Sequence, residues 1–388
     1  MKHIIKGDGT MKRSLTLLFT LLLLVSLWPS GAGAATLSLA SKSAVLMEKS
    51  TGAVLYAANE HERLEPASVT KVMTMLLTME AIDAGRLSYD DTVRCSAHAA
   101  SMGGSQVYLK EGEEMTVREL LKAAAIASGN DACVALAEHI AGTEEEFVAK
   151  MNEKAAELGM DDTTFINCNG LPAEGHLTSA YDIALMSREL ILHHPDIRDF
   201  TTIWMDSLRG GAFTLSSTNK LLKQYSGCTG LKTGSTSTAG FCISATAEKE
   251  GMELIAVTLA AKTGAERFND AKVLLNYGFA AYALHSVSPE TPLPAIPVHL
   301  AEQQSLTPVL YENAVLLKKE QLGALTQELT LAQELTAPIP AGQQVGTLTV
   351  RCGEDILAEL PIVAREAVAR ISYRGLLAQL YRFVLFSC

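Results

Sequence analysis

Three short clusters in this chain have the residue types and spacing for acyl transfer through a serine. The first, Pro66-Ala-Ser-Val-Thr-Lys71, sets a hydroxyl three residues before an amine, so at the start of a helix Ser68 and Lys71 share one face. A serine hydroxyl is a weak nucleophile until its proton is removed. A lysine whose pKa is lowered by burial or by a second cation can remove it. The helix N-terminus adds free backbone N–H groups, and that of Ser68 can polarise a carbonyl under attack. The second cluster, Ser128-Gly-Asn130, offers a hydroxyl to relay a proton and an amide to hold a substrate amide. The third, Lys232-Thr-Gly234, joins groups that bind a carboxylate to a glycine that admits close backbone approach. Taken singly each is weak, because Ser217-Thr-Asn-Lys220 repeats the first spacing and Lys262-Thr-Gly264 repeats the third.

The elements that must position these clusters read as an α+β domain, an antiparallel sheet flanked by helices, followed by a small all-β domain. Ala44–Met47 and Ala53–Tyr56 flank Lys49-Ser-Thr-Gly52 as a hairpin. Helical periodicity follows, with Val69, Val72, Met73, Leu76, Leu77 and Ile82 on one apolar face, then over 117–140, 147–158 and 181–193, with Ser128-Gly-Asn130 in a loop. Glu144–Glu146 suit a helix N-terminus, and Ser179-Ala-Tyr-Asp182 is a capping-box-like start. Phe241–Ala247 and Leu254–Ala261 form a second hairpin, and Lys272–Ala283 is helical. Prolines at 289, 292, 294 and 297 mark a linker over 286–297, ending a catalytic domain of residues 35–285. Short alternating runs such as Ala314–Leu317, Leu325–Leu331 and Gly346–Val350 make residues 298–368 the β domain.

Both ends of the chain speak to location. Lys12 and Arg13, an apolar run from Leu15 to Trp28 and a Gly-Ala-Gly-Ala34 site make residues 1–34 a secretory signal peptide. Its removal takes four basic residues and one acidic one, which moves the net charge from −11 to −14. That acidity excludes a broad nucleic-acid footprint. Residues 369–388 set Leu376, Leu377, Leu380, Phe383 and Val384 on one arc of a helical wheel and Arg370, Arg374 and Arg382 opposite. This pattern suits a helix lying in a membrane interface, the alternative being a helix packed on the β domain. The seven cysteines show neither disulfide-scaffold nor zinc spacing and have no adjacent His. No metal or cofactor is expected.

Order and context together carry more than each cluster alone. Ser-x-x-Lys, Ser-x-Asn 60 residues later and Lys-Thr-Gly a further 102 residues on match the set of penicillin-binding proteins and class A β-lactamases. The chain more specifically resembles the low-molecular-mass D-alanyl-D-alanine carboxypeptidases, through Glu65-Pro-Ala-Ser-Val-Thr-Lys-Val-Met-Thr74, Ala127-Ser-Gly-Asn-Asp-Ala132, Gly175-His-Leu-Thr-Ser-Ala-Tyr-Asp182 and Gly230-Leu-Lys-Thr-Gly234. The resemblance implies a β-lactamase/transpeptidase-like catalytic domain that trims peptidoglycan stem peptides and is acylated by β-lactam antibiotics. It would act on the extracytoplasmic face of the bacterial cytoplasmic membrane. It also implies roles: Ser68 as nucleophile, Lys71 as general base, Ser128 as proton relay and Lys232 as holder of the terminal carboxylate. Asn130, Thr233 and Gly234 would line the substrate, and the N–H groups of Ser68 and Ser235 would form the oxyanion hole. Arg267 is either a second carboxylate contact or a surface salt bridge. Many relatives have His where this chain has Ser235, which leaves a backbone role there but no defined side-chain role. The alternatives are a class A-like β-lactamase and a penicillin-binding scaffold or sensor without turnover. The former lacks its deacylating Glu in Phe165–Leu171, with Glu174 just beyond.

Overall fold

The computed structural model describes residues 37–386, so the signal-peptide segment and Cys388 lie outside the described residues. β1 (Ser43–Glu48) and β2 (Val54–Ala58) form the first hairpin. Ala67–Thr70 is a single 3-10 turn that runs straight into α1 (Lys71–Asp83). The sequence predicts one apolar face on α1, yet ten of its thirteen residues are buried. A helix surrounded on all sides is the centre of a core rather than its cover. Its two buried hydroxyls are satisfied locally, Thr74 donating to the Cys168 carbonyl and Thr78 to that of Thr74.

The helical run predicted over 117–140 is two helices, α2 (Val117–Ile126) and α3 (Asn130–Ala141). The break falls at Ser128, whose φ of +64° lies outside helical space. α4 (Glu144–Glu157) opens on a Thr143 cap with three glutamates in its first turn. α5 (Ala180–His193) opens on Ser179, whose hydroxyl accepts from the Asp182 N–H. β3 (Cys228–Thr236), β4 (Gly240–Lys249) and β5 (Met252–Ala261) complete a five-stranded antiparallel sheet of order β2-β1-β5-β4-β3. Strand alternation splits its faces. Val45 and Met47 join the helical core, whereas Leu46 and Leu254 meet Gly278 of α6 (Gly264–Ala281) on the other side. α6 begins eight residues before the expected Lys272, because Thr263 and Glu266 form a capping box; Lys262-Thr-Gly264 is therefore a helix start.

The boundary with the second β unit falls earlier than the prolines suggest. β6 (Tyr282–Ser286) follows α6 with no residue between and pairs antiparallel with Ala314–Lys318. Val287 and Ile296 belong to the second core, with Val298, Leu317, Leu348 and Ile362. The proline-rich stretch is therefore a loop inside the β unit. Proline punctuates turns as readily as linkers, and the partner strand lies too far along the chain for local pattern to reveal it. The C-terminal helix spans Tyr373–Phe386, starting beyond Arg370, which bridges to Ala301.

One buried carboxylate ties the sheet to its surroundings. Glu253 on β5, with 1% of its side chain exposed, pairs with Lys49 at 2.8 Å and with Arg198, and accepts from Thr229 Oγ1 at 2.8 Å. Removing it leaves Lys49 without this partner and Arg198 with Glu248 alone. Glu253→Ala should lower the unfolding free energy by about 3 kcal/mol, read as a reduced urea midpoint; an unchanged midpoint would show that the network adds nothing to stability.

Candidate active site

Lys71 opens α1 with its side chain fully buried, which lowers its amine pKa from the ordinary lysine value. Three oxygens surround Nζ: Ser68 Oγ at 3.0 Å, Asn130 Oδ1 at 2.6 Å and the Asn169 carbonyl at 2.5 Å. In the neutral form that burial favours, this amine has two hydrogens and one lone pair. Asn130 Oδ1 and the Asn169 carbonyl can only accept, so the hydrogens go there and the lone pair is left for the Ser68 hydroxyl, the one partner able to donate. That is the arrangement of a base with its nucleophile.

The second lysine is built alike. Lys232 on β3 is 1% exposed and donates to Ser128 Oγ at 2.9 Å and to the Thr233 carbonyl at 3.1 Å. Burial, and then the positive charge of Lys71, push its pKa well below the usual lysine range. Because Ser128 Oγ accepts from Lys232, its own proton is free to pass on. Asn130 places its Nδ2 against the Gly103 carbonyl at 2.7 Å, which leaves one amide hydrogen for a ligand. Thr233 Oγ1 meets Thr218 Oγ1 at 2.7 Å.

Two glycines let the backbones close around the nucleophile. A Cβ on Gly234 would lie 2.8 Å from both the Pro66 carbonyl and the Ser68 nitrogen, so this glycine admits the nucleophile turn itself rather than a substrate. Gly170, at φ +85°, would drive a Cβ to 1.9 Å from the Ala67 carbonyl oxygen. Ala67 stands at φ +48°, a strained conformation directly before Ser68. The turn is held by a hydrogen-bond chain that motif reading missed. Ile166 N–H donates to His176 Nδ1 at 3.0 Å, His176 Nε2 meets Thr70 Oγ1 at 2.8 Å, and Thr70 Oγ1 donates to the Ala67 carbonyl at 2.8 Å. Thr70 has one proton and gives it to Ala67, so His176 is the Nε2–H tautomer, neutral, with its pKa lowered to about 4 chiefly by burial. Both residues sit inside the motifs quoted above, but only the fold brings them together.

The remaining candidates fall into place around this centre. Ser235 is exposed on the edge strand β3, next to the nucleophile turn. Arg267 is 7% exposed and makes no salt bridge among the described residues. Its Nη1 donates to the Gly234 carbonyl at 3.0 Å and to that of Cys242 at 3.2 Å, between the Phe241 and Phe268 rings. It thus braces β3 at the third cluster, and burial lowers its pKa to about 10. Glu174 is exposed, and a carbonyl of its loop, that of Asn169, faces Lys71 in place of a carboxylate. Lys220 of the second Ser-x-x-Lys is exposed as well. The six described cysteines are unpaired; burial pushes Cys133, Cys228 and Cys242 up to about 11, so these thiols stay protonated.

A family model described as D-alanyl-D-alanine carboxypeptidase matches residues 31–263, and one for the penicillin-binding protein 5 C-terminal domain matches 295–370. The chain is 44% identical over 375 residues to the D-alanyl-D-alanine carboxypeptidase DacF of Bacillus subtilis, covering 94% of this chain and 96% of that one. Penicillin-binding protein 5 from Haemophilus influenzae is similar in structure, with TM-score 0.77 and 26% identity over 87% of this chain and all of that one. The ampicillin-bound form of penicillin-binding protein D2 from Listeria monocytogenes matches with TM-score 0.58 and 33% identity, over 63% of this chain and 99% of that one.

His176 gives the site a measurable acid sensitivity. Its folded pKa of about 4 lies below the ordinary 6.5, so unfolding takes up a proton between those values and stability falls as pH drops through that window. Between pH 7 and pH 4 the wild type should lose about 3 kcal/mol more than His176→Phe, measured by urea unfolding at both pH values. Equal losses would sink the assignment of a neutral His176.

Proposed function

The chain belongs to the D-alanyl-D-alanine carboxypeptidase family and is a serine-type hydrolase of that class; from that premise we propose that it releases the terminal D-alanine of peptidoglycan stem peptides through an acyl-enzyme on Ser68. The observation that carries this assignment is the fully buried Lys71 Nζ standing 3.0 Å from Ser68 Oγ. Lys71 takes the Ser68 proton as Oγ attacks the carbonyl of the penultimate D-alanine. The N–H groups of Ser68 and Ser235 receive the negative oxygen. As the C–N bond breaks, the proton passes through Ser128 to the leaving amine. Lys232 and Thr233 hold the carboxylate of the departing residue, and the free Asn130 amide hydrogen holds the acyl strand. Water then attacks the ester and restores Ser68. A β-lactam enters the same acylation, but its leaving amine stays tethered.

The same reading places the enzyme outside the cytoplasm, exported by residues 1–34 and held to the membrane surface by residues 369–388. Among the described residues no helix is long and apolar enough to cross a membrane. Support for surface attachment comes from the C-terminal helix, where Leu376, Leu377, Leu380, Tyr381 and Val384 are all exposed.

Ser68→Ala should abolish both D-alanine release from diacetyl-Lys-D-Ala-D-Ala and labelling by a fluorescent penicillin. Surviving label would move the nucleophile elsewhere, with Ser217 next. Lys71→Arg should slow acylation by about 10²- to 10⁴-fold, because a guanidinium does not give up its proton; wild-type acylation in that variant would remove Lys71 as the base. Deleting residues 371–388 should shift the protein from the membrane fraction to the soluble one, and unchanged membrane association would defeat the anchor.

A further inference from the structure

Tyr108 occupies a backbone conformation that a bulky side chain avoids, with φ +58°, and the residue is 67% exposed. Its neighbours Val107 and Leu109 turn inward and are buried. The strained residue is clamped from both sides. The Asp131 carboxylate, 1% exposed, accepts from the Val107 and Leu109 N–H groups, each at 3.0 Å. Arg209 donates to the Val107 carbonyl at 3.0 Å and to that of Tyr108 at 3.3 Å, and is itself fixed by Glu113 at 2.7 Å. Holding an aromatic ring in water gains nothing for folding, so this bracing points to a ligand. Phe213, from the hairpin of Met205–Leu208 and Phe213–Ser216, stands edge-on to Tyr108 at 6.2 Å. Together with Lys110, Glu111 and Arg209 the two rings line a surface cleft of about 590 Å³.

Both walls of that cleft are tied by hydrogen bonds to residues of the active site or their immediate neighbours. Asp131 follows Asn130, whose N–H and Nδ2 bind the carbonyls of Ser105 and Gly103. The hairpin leads on to Thr218, which bonds Thr233. The two D-alanines of the substrate carry only methyl groups, whereas the stem residue before them carries a long aliphatic side chain with a polar end. An aromatic face suits such a stem, and the mixed charges of Lys110 and Glu111 suit its tip. We propose that Tyr108 and Phe213 form the subsite for the side chain of the residue preceding D-Ala-D-Ala, and so set the substrate preference of the site. This rests on the carboxypeptidase mechanism given above.

The test compares kcat/KM for diacetyl-Lys-D-Ala-D-Ala with that for acetyl-Gly-D-Ala-D-Ala, which lacks the side chain. The wild type should prefer the lysine peptide, and Tyr108→Ala should cut that preference by about tenfold. Phe213→Ala should also cut it, while Tyr108→Phe keeps it. A preference unchanged in Tyr108→Ala, an equal loss on both peptides, or no preference in the wild type would overturn the subsite and leave the mechanism standing. A wild type that turns over neither peptide would overturn the mechanism and the subsite with it.

Discussion

A buried amine held between two carbonyl oxygens and one hydroxyl is tightly constrained, and much of this molecule serves to keep Lys71 in that position. Its partners come from the 3-10 turn, the start of α3 and the loop around Asn169. Bringing those backbones within reach of one nitrogen requires approaches that side chains forbid, hence Gly170 on the Ala67 peptide and Gly234 on the Ser68 nitrogen. The all-round burial of α1 follows from the same need. A base whose proton affinity is lowered by exclusion of water has to sit on a helix that water does not reach.

The charge pattern inverts that of the protein as a whole. A chain with net charge −11 keeps Lys71, Lys232 and Arg267 buried around one centre. The buried carboxylate next to Asn130, that of Asp131, is occupied by backbone N–H groups of the Tyr108 loop. Burial holds the Lys232 pKa down, and an arriving carboxylate is the partner that favours its charged form again. The centre is thus left with a buried cation whose charged form an anion would favour.

The three clusters were legible because each is local: a turn, a loop and a strand segment, whose order in the chain narrows the chemistry. Two helix starts were legible for the same reason, at Glu144–Glu146 and at Ser179, whereas the capping box of Thr263 and Glu266 was not. What escaped depends on distant partners. His176 is an ordinary histidine until the fold sets it beside Thr70, and Asp131 an ordinary helix-start acid until Val107 and Leu109 reach it. Arg267 stays open between a carboxylate contact and a surface salt bridge in the sequence, because the rings of Phe241 and Phe268 enclose it only after the sheet has formed. The break at Ser128 overrode a helical pattern that runs across it, since hydrophobic periodicity carries no record of one residue at positive φ.

α6 carries Arg267 in its first turn, against Gly234, and its last residue is followed at once by β6, already paired within the second unit. With no slack segment at that junction, the β unit is joined to the catalytic strand by a rigid strut rather than a leash. Torque applied to the far unit, by anything that fixes the C-terminal end, would be delivered through one helix to the strand beside the nucleophile.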